Sequence, residues 1–216
     1  MVGPNGAKLE RSGSGEGTQL SRQLRDATPK PDALTAFKLA RRTFLAGEKV
    51  DMQHLLAELR VDRATLFRWV GNRDQLLAEV IWSLTEPTFH RAVAEANGTG
   101  PERIVDAITR FVRAVIDADF FVAYMRREQR RALRLLTTRA TQFQHRLVAE
   151  IETFLAQEKA ASGLSYPLPI HDLAYVITRI AESYVYADLI TGEVPDADRA
   201  EAAFSALLGI GPGEHP

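Results

Sequence analysis

The sequence predicts an all-α protein, on three observations. Apolar residues recur at helical spacing from Pro31 onward, over most of the 216 residues. No run alternates apolar and polar residues over a useful length, so no β-strand is predicted. Two short amphipathic segments, 52–59 and 63–70, are separated by three residues, which is typical of a helix-turn-helix. We therefore expect an N-terminal three-helix domain containing that motif, followed by a larger helical domain.

The N-terminal part divides into an arm and a first helix. Residues 1–29 are polar and rich in Gly and Ser, so we predict a flexible arm. Pro31 and Gly47 suit the beginning and the end of a helix over residues 32–46. We assign residues 30–76 to the helix-turn-helix domain.

Aspartates precede the next two helices. Asp51 stands before a second helix over 52–59, and Asp62 stands before a third over 63–70. In this position a carboxylate accepts hydrogen bonds from the free backbone N–H groups of the first turn. Both aspartates are therefore predicted to be N-caps.

The remaining helices form the larger domain, which we place at residues 77–210. Gly71-Asn72 interrupts the pattern before the fourth helix, and we expect Pro87 to bend that helix. The predicted fourth to ninth helices cover residues 73–96, 101–117, 120–136, 138–161, 171–191 and 196–208.

Composition narrows the class of protein. The absence of cysteine excludes disulfides and thiol chemistry, and it suits a cytoplasmic location. No apolar run is long enough to span a membrane, so no membrane partner is expected. Residues 1–82 carry 13 Lys and Arg against 10 Asp and Glu, whereas residues 83–216 carry 14 against 18. A mildly positive N-terminal part and an acidic remainder are consistent with an N-terminal part that faces DNA.

An enzyme is the main alternative from another class, and a helical ligand-binding protein without DNA binding is a second. The five histidines are scattered without metal-ligand spacing, and no nucleophile elbow or dinucleotide-binding glycine pattern is present. We therefore expect no catalytic residues, no metal and no cofactor. Neither alternative accounts for residues 50–74.

The helix-turn-helix carries the strongest functional signal. The short connection makes its helices cross steeply and leaves the second free to enter a major groove. Arg63 and Arg68 would face outward and offer bidentate hydrogen bonds to guanine, while Ala64 and Phe67 offer apolar contacts to thymine methyl groups. Thr65, with Trp69 and Arg73, would lie nearer the phosphates. The candidate DNA-binding residues are Gln53, Arg63, Ala64, Thr65, Phe67, Arg68, Trp69 and Arg73. The alternative is a solvated face of an ordinary helical bundle.

Residues 33–80, including Val61-Asp62-Arg63-Ala64-Thr65-Leu66-Phe67-Arg68-Trp69 and Asn72-Arg73-Asp74-Gln75-Leu76-Leu77, resemble the TetR family of bacterial regulators. That resemblance implies a three-helix DNA-binding domain, a linking fourth helix, and a helical domain that binds an effector and dimerises. Within the larger domain, residues 179–188 look similar to regulators of quorum-sensing-signal (lactone) degradation.

Three residues depart from the family pattern. Arg60 stands in the turn where such motifs usually have Gly, so a left-handed conformation would cost about 1 kcal/mol and the turn is expected to differ slightly. Leu56 replaces a small residue, which predicts a wider helix crossing. Phe67 replaces the usual Tyr and so lacks a hydroxyl that would bond a phosphate.

The eighth predicted helix carries a stripe of polar and aromatic residues on one face. They are Tyr175, Arg179, Glu182, Tyr186 and Leu189. Arg179 and Glu182 are spaced to pair. The stripe fits either an effector pocket with polar orienting groups or an ion-paired rim beside a dimer interface.

Aromatic residues of the larger domain would supply the wall of such a pocket, although this spacing also suits a simple core. The candidate ligand-binding residues are Trp82, Phe89, Phe111, Tyr124, Phe143, Arg179, Glu182 and Tyr186. Phe120 and Phe121 are further candidates for the wall.

Two surfaces remain. The run over residues 126–131 contains four arginines, and we interpret it as a solvated helix face rather than a nucleic-acid patch, with one arginine turned inward. The eighth and ninth helices are predicted to form a homodimer interface through Ile177, Ile180, Tyr184, Phe204, Leu207 and Leu208. A dimer presents two recognition helices, so the expected partners are a double-stranded inverted-repeat DNA operator and a small, largely apolar effector.

Overall fold

The computed structural model describes residue 18 and residues 30–211, and every regular element in that part of the chain is a helix. Apart from residue 18, the predicted arm lies outside the described residues. The helices are α1 (Ala33–Leu45), α2 (Met52–Leu59), α3 (Arg63–Val70), α4 (Arg73–Ala94), α5 (Pro101–Ile116), α6 (Asp119–Arg127), α7 (Gln129–Thr137), α8 (Phe143–Ser162), α9 (Ile170–Val185), α10 (Ala187–Ile190) and α11 (Ala197–Leu207). The all-α prediction is confirmed.

The first three helices form as their capping residues predict. The Asp51 carboxylate accepts a hydrogen bond from the Gln53 N–H at 2.7 Å, and the Asp62 carboxylate accepts one from the Thr65 N–H at 2.9 Å. Phe44, Leu55 and Leu66 are almost fully buried, and each contributes about 2 kcal/mol through the apolar area that it removes from water. Capping and burial together hold α2 and α3 in the helix-turn-helix arrangement.

The turn between α2 and α3 keeps its left-handed residue. Arg60 has φ 53° and ψ 43°, the only positive φ at a non-glycine residue in the described chain. The expected change in the turn is therefore wrong, because Arg60 adopts the conformation that glycine takes more cheaply.

Three predicted helices are shorter than their periodicity suggests. The sixth splits into α6 and α7 at Glu128, whose φ of −130° and ψ of 41° are not helical. The seventh begins only at Phe143, because Thr138 is extended and the Thr141 hydroxyl donates to the Leu135 carbonyl instead of continuing a helix. The eighth ends at Val185, and Tyr186 separates it from the short α10.

The larger unit is a bundle in which α9 packs on α8 and α11, and α5 packs on α4 and α11. The fourth helix, α4, continues through Pro87 and contacts both α1 and α5. Buried side chains form a continuous cluster from α1 to α11. Within the described residues no helix is both long and apolar enough to cross a membrane.

Candidate functional site

The outward face of α3 presents two of the predicted base-reading arginines. Arg63, Ala64 and Arg68 are exposed, and so is Gln53 on α2. The Arg63 guanidinium lies over the Phe67 ring, 5.0 Å from its centroid, so Phe67 supports that arginine on the helix surface. This face supplies the charge and the apolar surface that contacts in a major groove require.

Two of the predicted phosphate-contacting side chains have partners within the chain. The Thr65 hydroxyl donates to the second oxygen of the Asp62 carboxylate at 2.8 Å, as part of the α3 cap. Trp69 is half-buried and lines a surface cleft between α1 and α4, which Trp82 also lines. Their polar atoms therefore stand beside the recognition surface rather than on its outermost face.

Arg73 is placed differently from Arg63 and Arg68. Its guanidinium donates two hydrogen bonds to the Glu128 carboxylate, both at 2.6 Å, and a third to the Val50 carbonyl. These bonds lower the pKa of Glu128 below its usual value and raise that of Arg73. In this structure Arg73 joins α4 to the end of α6 instead of standing free for a phosphate.

Part of the arginine run belongs to an ion cluster, which we define as Arg73, Asp74, Arg127, Glu128, Arg131 and Arg134. Arg131 and Arg134 both pair with Asp74, and Arg131 also lies 3.3 Å from the Glu128 carboxylate. Arg127 donates to the carbonyls of Gly47 and Glu48, in the loop after α1. Within the run, Arg126, Arg127 and Arg130 are exposed, as the interpretation as a solvated helix face expects, whereas Arg131 is half-buried beside Asp74 and Glu128.

A cavity of about 210 Å³ lies in the larger unit between α4, α5, α6, α8 and α9. Its wall is mostly apolar and contains five phenylalanines: Phe44, Phe111, Phe120, Phe121 and Phe143. The polar groups around it are few: Thr85, Thr88, Arg91, Glu182 and Tyr186. An apolar space with a small number of convergent polar groups is typical of a site for a small molecule.

The cavity includes half of the predicted ligand-binding residues. Phe111, Phe143, Glu182 and Tyr186 line it. Phe89 is instead packed edge-to-face against Phe111 and Phe154 in the core.

The other three predicted ligand-binding residues also lie outside the lining. Trp82 faces the outer cleft, under the Arg146 guanidinium. Tyr124 is buried behind the wall, and Arg179 lines a separate surface depression. The structure brings none of these three into the cavity wall.

Glu182 is the buried charge-bearing group of the cavity. Only 7% of the residue is exposed. One carboxylate oxygen accepts a hydrogen bond from the Gln144 amide at 3.1 Å, and the other lies 3.0 Å from the Arg179 guanidinium. Burial raises the pKa of Glu182 to about 7, although Arg179 and Gln144 favour the ionised form.

The predicted stripe therefore divides at the cavity edge. Glu182 and Tyr186 belong to the wall, whereas Tyr175 is 49% exposed and stacks under the Arg179 guanidinium. The stripe thus has an inner polar end at the cavity and an outer ion-paired end at the surface, and the effector-pocket and dimer-rim interpretations both stay predictions.

Phe44 is the cavity residue that the sequence assigned elsewhere. Phe44 lies on α1 and is 1% exposed, and its ring also closes the cavity beside Phe120, with centroids 5.8 Å apart. Thr85, Thr88 and Arg91 were not singled out either. They are spaced three residues apart along α4, which places them on one face of the helix. This spacing of polar residues is the feature of the sequence that could have identified them.

The predicted dimer residues also separate into two groups. Ile177 and Phe204 are each 1% exposed, because they are covered within the protomer. Ile180, Tyr184, Leu207 and Leu208 are only partly covered. The first two therefore contribute to the bundle core and not to a surface.

Comparison with known proteins agrees with this architecture. Residues 99–209 match the family model described as "Tetracyclin repressor-like, C-terminal domain". The solved structure of the R. erythropolis transcriptional repressor QsdR, from the TetR family, is similar with a TM-score of 0.77 and 32% sequence identity, covering 85% of this chain and 97% of that one. No curated protein sequence matches the chain.

Proposed function

The chain belongs to the TetR family of transcriptional regulators, and from that premise we propose that it is a repressor released from DNA by a small ligand. Members of the family bind DNA operators and small-molecule effectors and form dimers. The similar R. erythropolis protein is a transcriptional repressor, which favours repression here. The observation that carries the proposal is the apolar cavity, whose wall includes Phe44 of α1 and one face of α4.

The DNA partner is an inverted-repeat operator bound by a homodimer. Arg63 and Arg68 contact base edges from α3, with Ala64 and Phe67 beside them. Gln53 and Thr65 contact the phosphate backbone of the DNA. Trp69 and Arg73 act behind this surface by fixing the orientation of α3 and α4. The two protomers meet through α9 and α11, which gives the operator its two-fold symmetry.

The effector is a small, largely apolar molecule, and the similarity of residues 179–188 to regulators of lactone degradation makes a lactone the first candidate. A cavity of about 210 Å³ suits a small ligand rather than a large one. The apolar wall supplies the affinity, and the few polar groups orient the ligand.

Release follows from the shared wall. A ligand that fills the cavity presses on α4 through Ile81, Leu84 and Thr88, and on α1 through Phe44. Both helices contact the helix-turn-helix, so ligand binding favours a different spacing of the two recognition helices. The effector and the operator then favour different conformations of the protein, so that binding of one lowers the affinity for the other.

The test is binding to the duplex upstream of the gene that encodes the chain, measured by fluorescence anisotropy at fixed salt. We expect the wild-type protein to prefer this duplex over a random one, and Arg63→Ala/Arg68→Ala to lose about 2–6 kcal/mol of that preference, at about 1–3 kcal/mol for each bidentate contact. The control is Arg126→Ala/Arg130→Ala, which removes the same charge from exposed residues away from α3. Equal binding of both duplexes by wild type and the α3 variant would contradict the regulator assignment.

A further inference from the structure

The polar end of the cavity indicates which ligands it accepts. Glu182 is the single carboxyl group in the described lining, and apolar side chains face it across the space. Arg179 and Gln144, which are not in the lining, each contact one oxygen of the carboxyl group. A carboxylate offers about four acceptor sites, so Glu182 keeps acceptor capacity for a donor on a ligand inside the cavity.

A second polar side chain lies near Glu182. Tyr186 is 5% exposed and lines the cavity, one turn along the chain from Glu182. Glu182 and Tyr186 therefore form a polar end of the cavity at the C-terminal end of α9.

The chemistry of a carboxyl group limits the head group of that guest. An ionised carboxylate only accepts hydrogen bonds, whereas the protonated form also donates one. A hydroxyl or a secondary amide both donates and accepts, so it satisfies Glu182 in either state. An ester or a simple lactone only accepts, and a second carboxylate would meet Glu182 as a like charge in a poorly solvated space.

We infer that the effector is a neutral amphiphile whose hydroxyl or amide N–H group binds Glu182 and whose short apolar chain lies among the phenylalanines. The inference rests on the proposed function and narrows it, since a lactone effector then requires an additional O–H or N–H group. A burial-raised pKa for Glu182 of about 7 is consistent with a carboxyl group that meets its ligand partly protonated. Arg91 also lines the cavity, but its side chain is exposed to water, whereas that of Glu182 is buried.

The experiment uses three matched eight-carbon probes with the full-length protein at pH 8 and fixed salt. They are octan-1-ol, methyl heptanoate and octanoate, and dissociation constants are measured by thermal shift and titration calorimetry. We expect octan-1-ol to bind about tenfold more tightly than the ester, since one unsatisfied polar group is worth about 1.4 kcal/mol, a factor of ten. Octanoate is expected to bind more weakly still.

Variants of Glu182 separate the head-group contact from general affinity. Glu182→Gln keeps a donor and an acceptor, so it should retain octan-1-ol and lose the discrimination against octanoate. Glu182→Leu should bind the ester and the alcohol equally. The control is Glu152→Gln on α8, which lies outside the cavity lining and should behave as wild type.

Two results would overturn the inference, and only the second would also contradict the effector part of the proposed function. If the ester or octanoate binds as tightly as the alcohol, or if Glu182→Leu keeps the preference, the head-group assignment fails while the cavity remains an effector site. If no probe binds to the wild-type protein, the assignment fails together with the effector part of the proposed function. Operator binding, measured in parallel, tests the DNA-binding part independently.

Discussion

Arg60 shows how one residue holds an unfavourable conformation for the sake of a motif. Its φ of 53° places it in the left-handed region, where the Cβ atom meets the carbonyl oxygen. The conformation persists because Asp62 caps α3 on one side and the buried Leu59 fixes α2 on the other. The arginine side chain itself is exposed. The strain is therefore local and separable from the DNA-binding surface.

Replacing this residue with glycine should stabilise the protein. We expect Arg60→Gly to raise the free energy of unfolding by up to about 1 kcal/mol, because glycine adopts the left-handed region without a Cβ clash. For a chain of this size that corresponds to about 2–4 °C in Tm, measured by calorimetry. Ala57→Gly, at an exposed position in α2, is the matched control and should lower stability by about 1 kcal/mol. A fall in Tm for Arg60→Gly would show that the side chain outweighs the backbone strain.

Glu128 shows that helical periodicity does not identify a partner that is distant in the sequence. Within the run over 126–131, helical periodicity and charge favour a solvated face, and Arg126, Arg127 and Arg130 are exposed as that interpretation expects. The partner of Glu128 is Arg73, which lies 55 residues away in sequence. Periodicity reports only neighbours three or four residues apart, so it has no access to such a pair.

At the scale of the elements, the break between α6 and α7 positions the carboxyl group of Glu128 for an ion pair with α4. The interruption at Glu128 turns its carboxyl group toward the beginning of α4, where Arg73 and Asp74 receive it and the neighbouring arginines. α6 also packs against α1. The ion cluster thus links the beginning of α4 and the loop after α1 to α6 and α7.

Removing the central carboxylate should loosen that attachment. We expect Glu128→Gln to lower the free energy of unfolding by about 1–3 kcal/mol, since it leaves Arg73 with a neutral partner at a mostly buried position. Hydrogen exchange should increase at the amides of α2, α3 and the first turn of α4 more than in α8. Arg130→Gln changes an exposed residue of the same run that is not part of the cluster. It is the control and should change stability by less than about 0.5 kcal/mol. Uniform or unchanged exchange in Glu128→Gln would contradict a docking role.

The predicted elements themselves were accurate where local signals exist. The capping residues Asp51 and Asp62 fixed the beginnings of α2 and α3, and both helices have the bounds expected from the sequence. The long helices were overextended across Glu128, residues 138–142 and Tyr186, because apolar spacing continues through each break. Half of the candidate ligand-binding residues line the cavity, and their role stays a prediction. Phe44 was not among the candidates because a core and a cavity wall use the same apolar spacing.

At the scale of the whole molecule, dimerisation through α9 and α11 is the assembly to test. We expect Ile180→Glu and Leu207→Glu to convert the dimer to a monomer in sedimentation velocity, because each places a charge on a partly covered apolar face. Operator affinity should fall with the dimer, since a single recognition helix contacts only one half-site. Ala149→Glu, on the exposed face of α8, is the matched control and should remain dimeric. Circular dichroism checks that the variants stay folded, and a folded dimer for both interface variants would exclude this surface.

Phe44 has a further consequence for how such a chain is inherited and engineered. Because a ring from α1 closes the cavity beside Phe120, the cavity wall is incomplete without the N-terminal helices. Under the proposed function, a chimera that grafts a foreign N-terminal domain onto the bundle exchanges part of the effector-binding wall along with the operator preference. We therefore expect such a chimera to keep its effector response only when the incoming first helix carries an aromatic residue at this position.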